Sequence, residues 1–378
     1  MAGIYIHIPF CKKACHYCDF HFSTSLQYKG DLVRAIATEL KLKKDRLAGQ
    51  IVETIYFGGG TPSLLSDVEL GLIIDTLSQH YQIAPQAEIT LEANPDDLDK
   101  AGLLKIKQFP INRFSIGIQS FFEEDLLWMN RAHHAAEAAS CIPRSQDAGF
   151  ENISIDLIYG YPILTDAKWQ ANLAQAVQTH VPHISSYSLT VEPKTALAYQ
   201  VQKGLQQAPN DSQSANQFKY LQTYLEAAGF EAYEISNYAA NQQYAVHNTN
   251  YWKGIPYLGI GPSAHGFDGL NRYANIANNA QYIKAIAHSQ LPETWDYLTQ
   301  ADRFNEYIMT SLRTQWGINL TQVEITYGAQ RVAWILEEAA EELAKENLIL
   351  VNNSLKLSLQ GKLFADGIAA SLFWEDDL

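Results

Sequence analysis

Three of the chain's four cysteines, Cys11, Cys15 and Cys18, lie within one stretch of eight residues, spaced C-x3-C-x2-C directly after the run YIHIP. Such spacing keeps all three sulfurs on one short loop, where they converge on a soft metal centre more readily than they pair as disulfides. A loop that carries a metal centre needs a rigid root. The alternation of Tyr5 and His7 with Ile4, Ile6 and Ile8 supplies one, because it reads as a β-strand with two distinct faces. His7 then either orients the loop or is a hydrogen-bonded interior histidine. Two ligand sets stay open on the residues alone: zinc completed by His16 or His21, or an iron–sulfur cluster with one iron left for another ligand. Cys141 falls in a helical stretch and reads as a small buried residue.

Grouped cysteines without a disulfide framework fit a reducing, cytoplasmic setting. The segment Met1–Phe10 has no basic region and its apolar run is broken by His7 and Pro9, so it does not read as a secretion signal. No run approaches the ~18 apolar residues of a membrane span, so no integral membrane segment is expected. A net charge of −14 argues against a nucleic-acid partner.

Short β-rich runs alternate with helical patterns through the first part of the chain, which predicts an α/β fold built of βα units around a parallel sheet. The strands are placed at Ile4–Ile8, Thr54–Phe57, Glu88–Glu92, Arg113–Ile118, Ile153–Ile158 and His183–Leu189. Helices are placed at Tyr28–Leu47, Asp67–His80, Ala135–Ala148, Ala167–Thr179 and Ser212–Ala228. A partial or complete (β/α) barrel over residues 1–236 accounts for this order, with an open doubly wound sheet as the alternative. Residues 237–298 are aromatic, Gly- and Asn-rich and read as connecting loops and short elements. Residues 299–378 read as a mainly helical, winged-helix-like domain whose hairpin turns at Asn352 and Asn353. The glutamates of WILEEAAEELAKE disfavour DNA binding there and suggest a structural or client-docking role.

In a barrel, ligands gather at the carboxyl ends of the strands. Four successive strands deliver suitable groups to that rim: Gly58, Gly59, Gly60 and Thr61, then Glu92 with Asn94, then Gln119, then Asp156. A Gly-rich turn or one polar strand end would mean little alone. Four on one predicted rim indicate a binding site.

The cysteine spacing after a strand resembles the cluster loop of radical S-adenosylmethionine (SAM) enzymes. The wider phrase YIHIPFCKKACHYCDF is similar to the branch that holds the oxygen-independent coproporphyrinogen III dehydrogenases and the HemW-type haem chaperones, and the likeness runs from Tyr5 into the helical C-terminal region. The resemblance implies a [4Fe-4S] cluster on Cys11, Cys15 and Cys18, with SAM bound through its amino and carboxylate groups to the open iron. It implies SAM contacts at Tyr5, Tyr17, Gly59, Gly60, Thr61 and Glu92, while Gln119, Arg131 and Asp156 match a second SAM pocket in the dehydrogenases.

Those dehydrogenases carry a further cysteine two positions after the third, where this chain has Phe20. The segment His247-Asn248-Thr249-Asn250-Tyr251-Trp252 matches the HNxxYW motif associated with the haem chaperones. By that resemblance His247 is an axial ligand to haem, and Tyr251 and Trp252 offer aromatic surface to the porphyrin. The expected function is a haem chaperone that delivers haem to client haemoproteins, with no catalytic residue assigned and a homodimer left open. Two other readings stay open: decarboxylation of coproporphyrinogen III, and radical SAM chemistry on an unrelated substrate.

Overall fold

The computed structural model describes residues 1–375, so residues 376–378 of the predicted C-terminal unit lie outside it. Near-continuous burial along the first strands is what a parallel sheet covered by helices requires. They are β1 (Ala2–Ile8), β2 (Val52–Gly59), β3 (Ile83–Ala93), β4 (Arg113–Gln119), β5 (Ile153–Tyr159) and β6 (His183–Ser188). All six predicted strands are present. They pair in chain order and in parallel, with Tyr5 beside Tyr56, Leu91 beside Phe114, and Asp156 beside Ser185. A doubly wound sheet reverses its strand order at a switch point, and this one does not, which favours the barrel geometry.

Six further strands continue the same sheet: β7 (Phe230–Ala232), β8 (Asn237–Ala240), β9 (Tyr257–Ile260), β10 (His265–Phe267), β11 (Arg272–Asn275) and β12 (Glu293–Asp296). The order is β12-β11-β10-β9-β1-β2-β3-β4-β5-β6-β8-β7, so the described sheet ends at β12 and β7 without closing. The barrel is therefore partial. The stretch expected as connecting loops and short elements contributes β8 to β12. Strands of three or four residues rich in Gly, Asn and Tyr are too short to show a period of two, which is why the pattern hid them.

The predicted helix Tyr28–Leu47 breaks into Lys29–Leu42 and a 3-10 turn at Lys44–Leu47. Asp67–His80 forms as predicted, started by a capping box between Ser66 and Glu69. The crossover helix Lys100–Ile106 was unmarked because seven residues carry too little periodicity. At the C-terminus, strands Ile318–Asn319, Leu348–Val351 and Ser354–Leu357 make a small antiparallel sheet. Asn352 and Asn353 both have positive φ, as the predicted two-residue hairpin turn demands. Phe304, Ile308, Leu312, Ile335, Leu355 and Ile368 form a core here, separate from the core of the large sheet.

A buried ion network ties the first helix to the added strands. Lys43 is 1% exposed and Glu39 is 0% exposed. The Lys43 ammonium lies 2.6 Å from Glu39 and 3.2 Å from Glu293, and donates to the Gly259 carbonyl at 3.1 Å. Glu39 also accepts from Asn275, the Gly261 N–H and the Tyr282 hydroxyl. Removing one partner would strand the other charge in a dry interior. We expect Lys43→Met to lower stability to urea by about 3–5 kcal/mol, with part of it recovered when Glu39→Gln is added. A loss below about 1 kcal/mol would mean that the pair behaves like an exposed one.

Candidate functional site

The cysteine loop leaves β1 and is tied down along its length. The Cys11 N–H donates to the Ser23 carbonyl at 3.1 Å and the Ser23 N–H returns to Pro9 at 2.8 Å. His16 N–H donates to Met129, and the Asn130 amide to Ala14. Lys12 pairs with Asp96 at 2.5 Å and with Asp97. His7 is 4% exposed and holds the far end of the loop through a 2.9 Å bond from Nε2 to the His21 carbonyl, while Nδ1 accepts from Tyr5 at 3.1 Å. Burial pushes His7 down to about 4, so it stays neutral in this orienting role.

The turn after β2 explains its glycines. The Gly60 and Thr61 N–H groups donate to the Ile8 and Phe10 carbonyls at 2.9 and 2.7 Å. A Cβ on Gly60 would sit 2.7 Å from Ile8 and Phe10 backbone atoms, and one on Gly59, whose φ is +102°, would sit 2.4 Å from the His7 ring. Only glycine permits this approach.

Cys11, Cys15 and Cys18 share the wall of one cavity of about 420 Å³ with Tyr17, Gly59, Gly60, Thr61, Glu92, Gln119, Arg131 and Asp156. Among the residues predicted for cluster and SAM, Tyr5 alone stands outside the wall, stacked on Tyr56 and hydrogen-bonded to His7. All four cysteines are free. Among the described residues no three His, Cys, Asp or Glu donors already enclose a metal position. His16 is bonded to the Trp128 carbonyl and His21 to Asn279, and neither lines the cavity, so the zinc reading lacks its fourth ligand. Three thiols beside an open volume fit a cluster with one uncommitted iron. Burial pushes the Cys11 thiol up and the Cys18 thiol up to about 12. Thr61 donates to the Cys11 sulfur at 3.6 Å and Arg131 to the Cys15 sulfur at 3.4 Å, both suited to anionic sulfur.

Opposite charges face each other across the cavity. Burial raises Glu92 to about 7 although the Tyr56 hydroxyl and the Gly59 N–H donate to it at 2.8 and 3.1 Å. Burial likewise raises Asp156 to about 6, with the Ser115 hydroxyl donating at 3.4 Å. Two poorly solvated carboxylates favour a ligand that brings positive charge or hydroxyl donors. Arg131, predicted for a second SAM pocket, binds Asn94 at 2.7 Å and the Gly117 carbonyl at 2.9 Å beside the cysteine loop. Gln119 adopts φ of +64°, a strained backbone for a non-glycine residue at the end of β4. Tyr56, Ser115 and Gly117 were not singled out from the sequence. Their signal was the period-two face that Tyr56 shares with Thr54 and Gly58, and that Ser115 and Gly117 share with Gln119.

The HNxxYW segment forms the helix Val246–Trp252, whose first N–H groups donate to Glu88 on β3. His247 is 2% exposed; Nδ1 bonds Thr54 at 2.7 Å, Nε2 bonds Tyr251 at 2.8 Å, and the ring stacks on Tyr56. Both ring nitrogens are engaged here, and the ring lines neither cavity. The helix docks it inward because the histidine packs beside Gly3, where a Cβ would lie 3.2 Å from the ring. Tyr251 and Trp252 instead wall a second, larger cavity of about 960 Å³. Phe20 is 67% exposed at the first cavity, so no fourth thiol stands there.

Residues 5–175 match the Radical SAM superfamily. The heme chaperone HemW of Mycobacterium tuberculosis is 34% identical over 375 residues, covering 98% of this chain and 94% of that protein. HemW of Bacillus subtilis is 32% identical over 380 residues, covering 99% and 100%. The structure of coproporphyrinogen III oxidase from Escherichia coli, a radical SAM enzyme, superposes with a TM-score of 0.86 at 21% identity, over 98% of this chain and 90% of that one.

The carboxylate assignment is open to direct measurement. Ionised Glu92 is the form that receives a cationic ligand, so SAM affinity of anaerobically reconstituted protein should fall as pH drops through about 7. Glu92→Gln should weaken SAM binding about tenfold or more at pH 8 and flatten that dependence, as loss of a charged hydrogen bond requires. Unchanged affinity would remove Glu92 from the site.

Proposed function

The chain belongs to the HemW family of the radical SAM superfamily, and from that membership and the two separate cavities we propose that it binds haem and delivers it to client haemoproteins. The carrying observation is the separation itself. One cavity concentrates thiols and buried carboxylates, while the other is larger and walled by the aromatic end of HNxxYW. Cargo and cluster thus occupy different places.

Cys11, Cys15 and Cys18 would hold the [4Fe-4S] cluster, which supplies single electrons for SAM cleavage when present. Around it the chain's own residues bind and orient. Thr61 and Arg131 stabilise anionic sulfur, Glu92 receives the cationic or hydroxyl part of SAM, and the Gly59–Gly60 backbone allows close approach. Gln119, Arg131 and Asp156 line the same wall, and a second SAM there is part of this proposal. Tyr251 gives the haem cavity a fixed aromatic wall because His247 holds its hydroxyl. No described helix is long and apolar enough to cross a membrane, and a cytoplasmic site of action is the setting we propose.

The dehydrogenase reading is supported less, because the exposed Phe20 stands where a further thiol would be needed. Two incubations separate the functions. Haem-loaded protein mixed with an apo-haemoprotein should transfer haem, seen as a shift of the Soret band to that of the acceptor. Anaerobic incubation with SAM, reductant and coproporphyrinogen III should leave the substrate unchanged. Sustained formation of protoporphyrinogen IX would instead establish the decarboxylase.

A further inference from the structure

We infer that His265 is the axial ligand through which this chain holds haem iron, in the cleft between β9–β11 and the C-terminal unit. The inference rests on the haem-binding reading and adds the donor that the burial of His247 leaves unassigned. His265 sits on β10, is exposed, and is the one histidine among the described residues that lines the cavity of about 960 Å³. Its ring makes no hydrogen bond to any described residue, whereas both nitrogens of His247 are taken. Iron ligation needs a neutral imidazole nitrogen with open space before it.

Neighbouring packing fixes the direction of His265. Successive strand residues point to opposite faces. Gly266 faces Tyr273 so closely that a Cβ would lie 2.2 Å from that ring, and a Cβ on Gly259 would lie 1.9 Å from the His265 carbonyl oxygen. A one-residue slip of β10 would drive the imidazole into Tyr273. The strand therefore holds His265 on the cavity side.

The rest of the cavity suits an amphipathic, dianionic macrocycle. Tyr251, Trp252 and Trp316 offer aromatic surface for a flat porphyrin. Arg272, Arg303 and Lys356 supply cations for two propionates, with Arg272 held in place by Glu306 at 2.8 Å. The first cavity, about 420 Å³, must already take cluster and SAM. The second lies within the usual upper range for ligand pockets, roughly 300–1,000 Å³.

The test is hemin titration of the full chain, read as difference spectra against haem-free protein and as low-temperature EPR of the ferric complex. His265→Ala is compared with wild type and with His288→Ala, an exposed histidine at the end of the helix Asn279–Ala287 that does not line the cavity. We expect His265→Ala to bind hemin about tenfold or more weakly and to lose the imidazole-ligated spectrum, and added free imidazole to restore that spectrum. His247→Ala, which loosens Tyr251, should keep the imidazole signature in whatever fraction is loaded. Wild-type spectra retained in His265→Ala, or a thioether or phenolate signature in wild type, would overturn the assignment while haem binding stands. No hemin bound by wild type would overturn the haem-binding reading and this inference together.

Discussion

The close approach of the Gly59–Gly60 turn to the backbone entering the cysteine loop is the contact on which the site depends. Two N–H groups of this turn meet the Ile8 and Phe10 carbonyls, and no side chain fits between them. That contact fixes where the loop leaves β1. His7 fixes where it ends, by its bond to the His21 carbonyl. Between those points the loop is fastened to Met129, Asn130, Asp96 and Asp97, which belong to the segments after β3 and β4. The thiols are thus positioned by the parallel sheet as a whole, and the rim of that sheet becomes the site.

Groups of both signs are distributed over this rim. Arg131 sits beside the sulfurs, and Glu92 and Asp156 lie on β3 and β5. Burial makes each carboxylate reluctant to ionise alone, so a bound cation gains more from them than it would at an exposed surface. The aromatic cleft on the far side of β1 has a different character, with exposed imidazole, broad rings and cations. Buried Lys43 and Glu39 tie the first helix to the strands that carry the cleft. A partial barrel extended by antiparallel strands therefore borders two chemically distinct cavities, the second completed by the C-terminal unit.

Much of the first site was legible in the sequence, because its residues sit where regular strands end. Glu92, Gln119 and Asp156 were located by counting along apolar runs, and the cysteine spacing is local enough to need no fold. The second site was hidden for the opposite reason. Its strands are too short for periodicity, and its walls come from segments far apart in the chain, such as His265 and Trp316. His247 shows the limit most clearly: nothing in HNxxYW tells that tertiary packing will engage both nitrogens with Thr54 and Tyr251. Tyr56 was likewise unmarked, since an aromatic residue in a buried strand gives no sign that its hydroxyl will orient a carboxylate.

The central claim is that three thiols at this rim hold a cluster with one iron open to SAM. EPR of the dithionite-reduced, anaerobically reconstituted protein, recorded with and without SAM, tests it most directly. The account predicts a [4Fe-4S]⁺ signal whose g-values shift when SAM is added, and no such signal when Cys11, Cys15 and Cys18 are all replaced by Ala. A reconstituted protein that binds zinc in place of iron and gives no cluster signal, or a cluster signal indifferent to SAM, would contradict it.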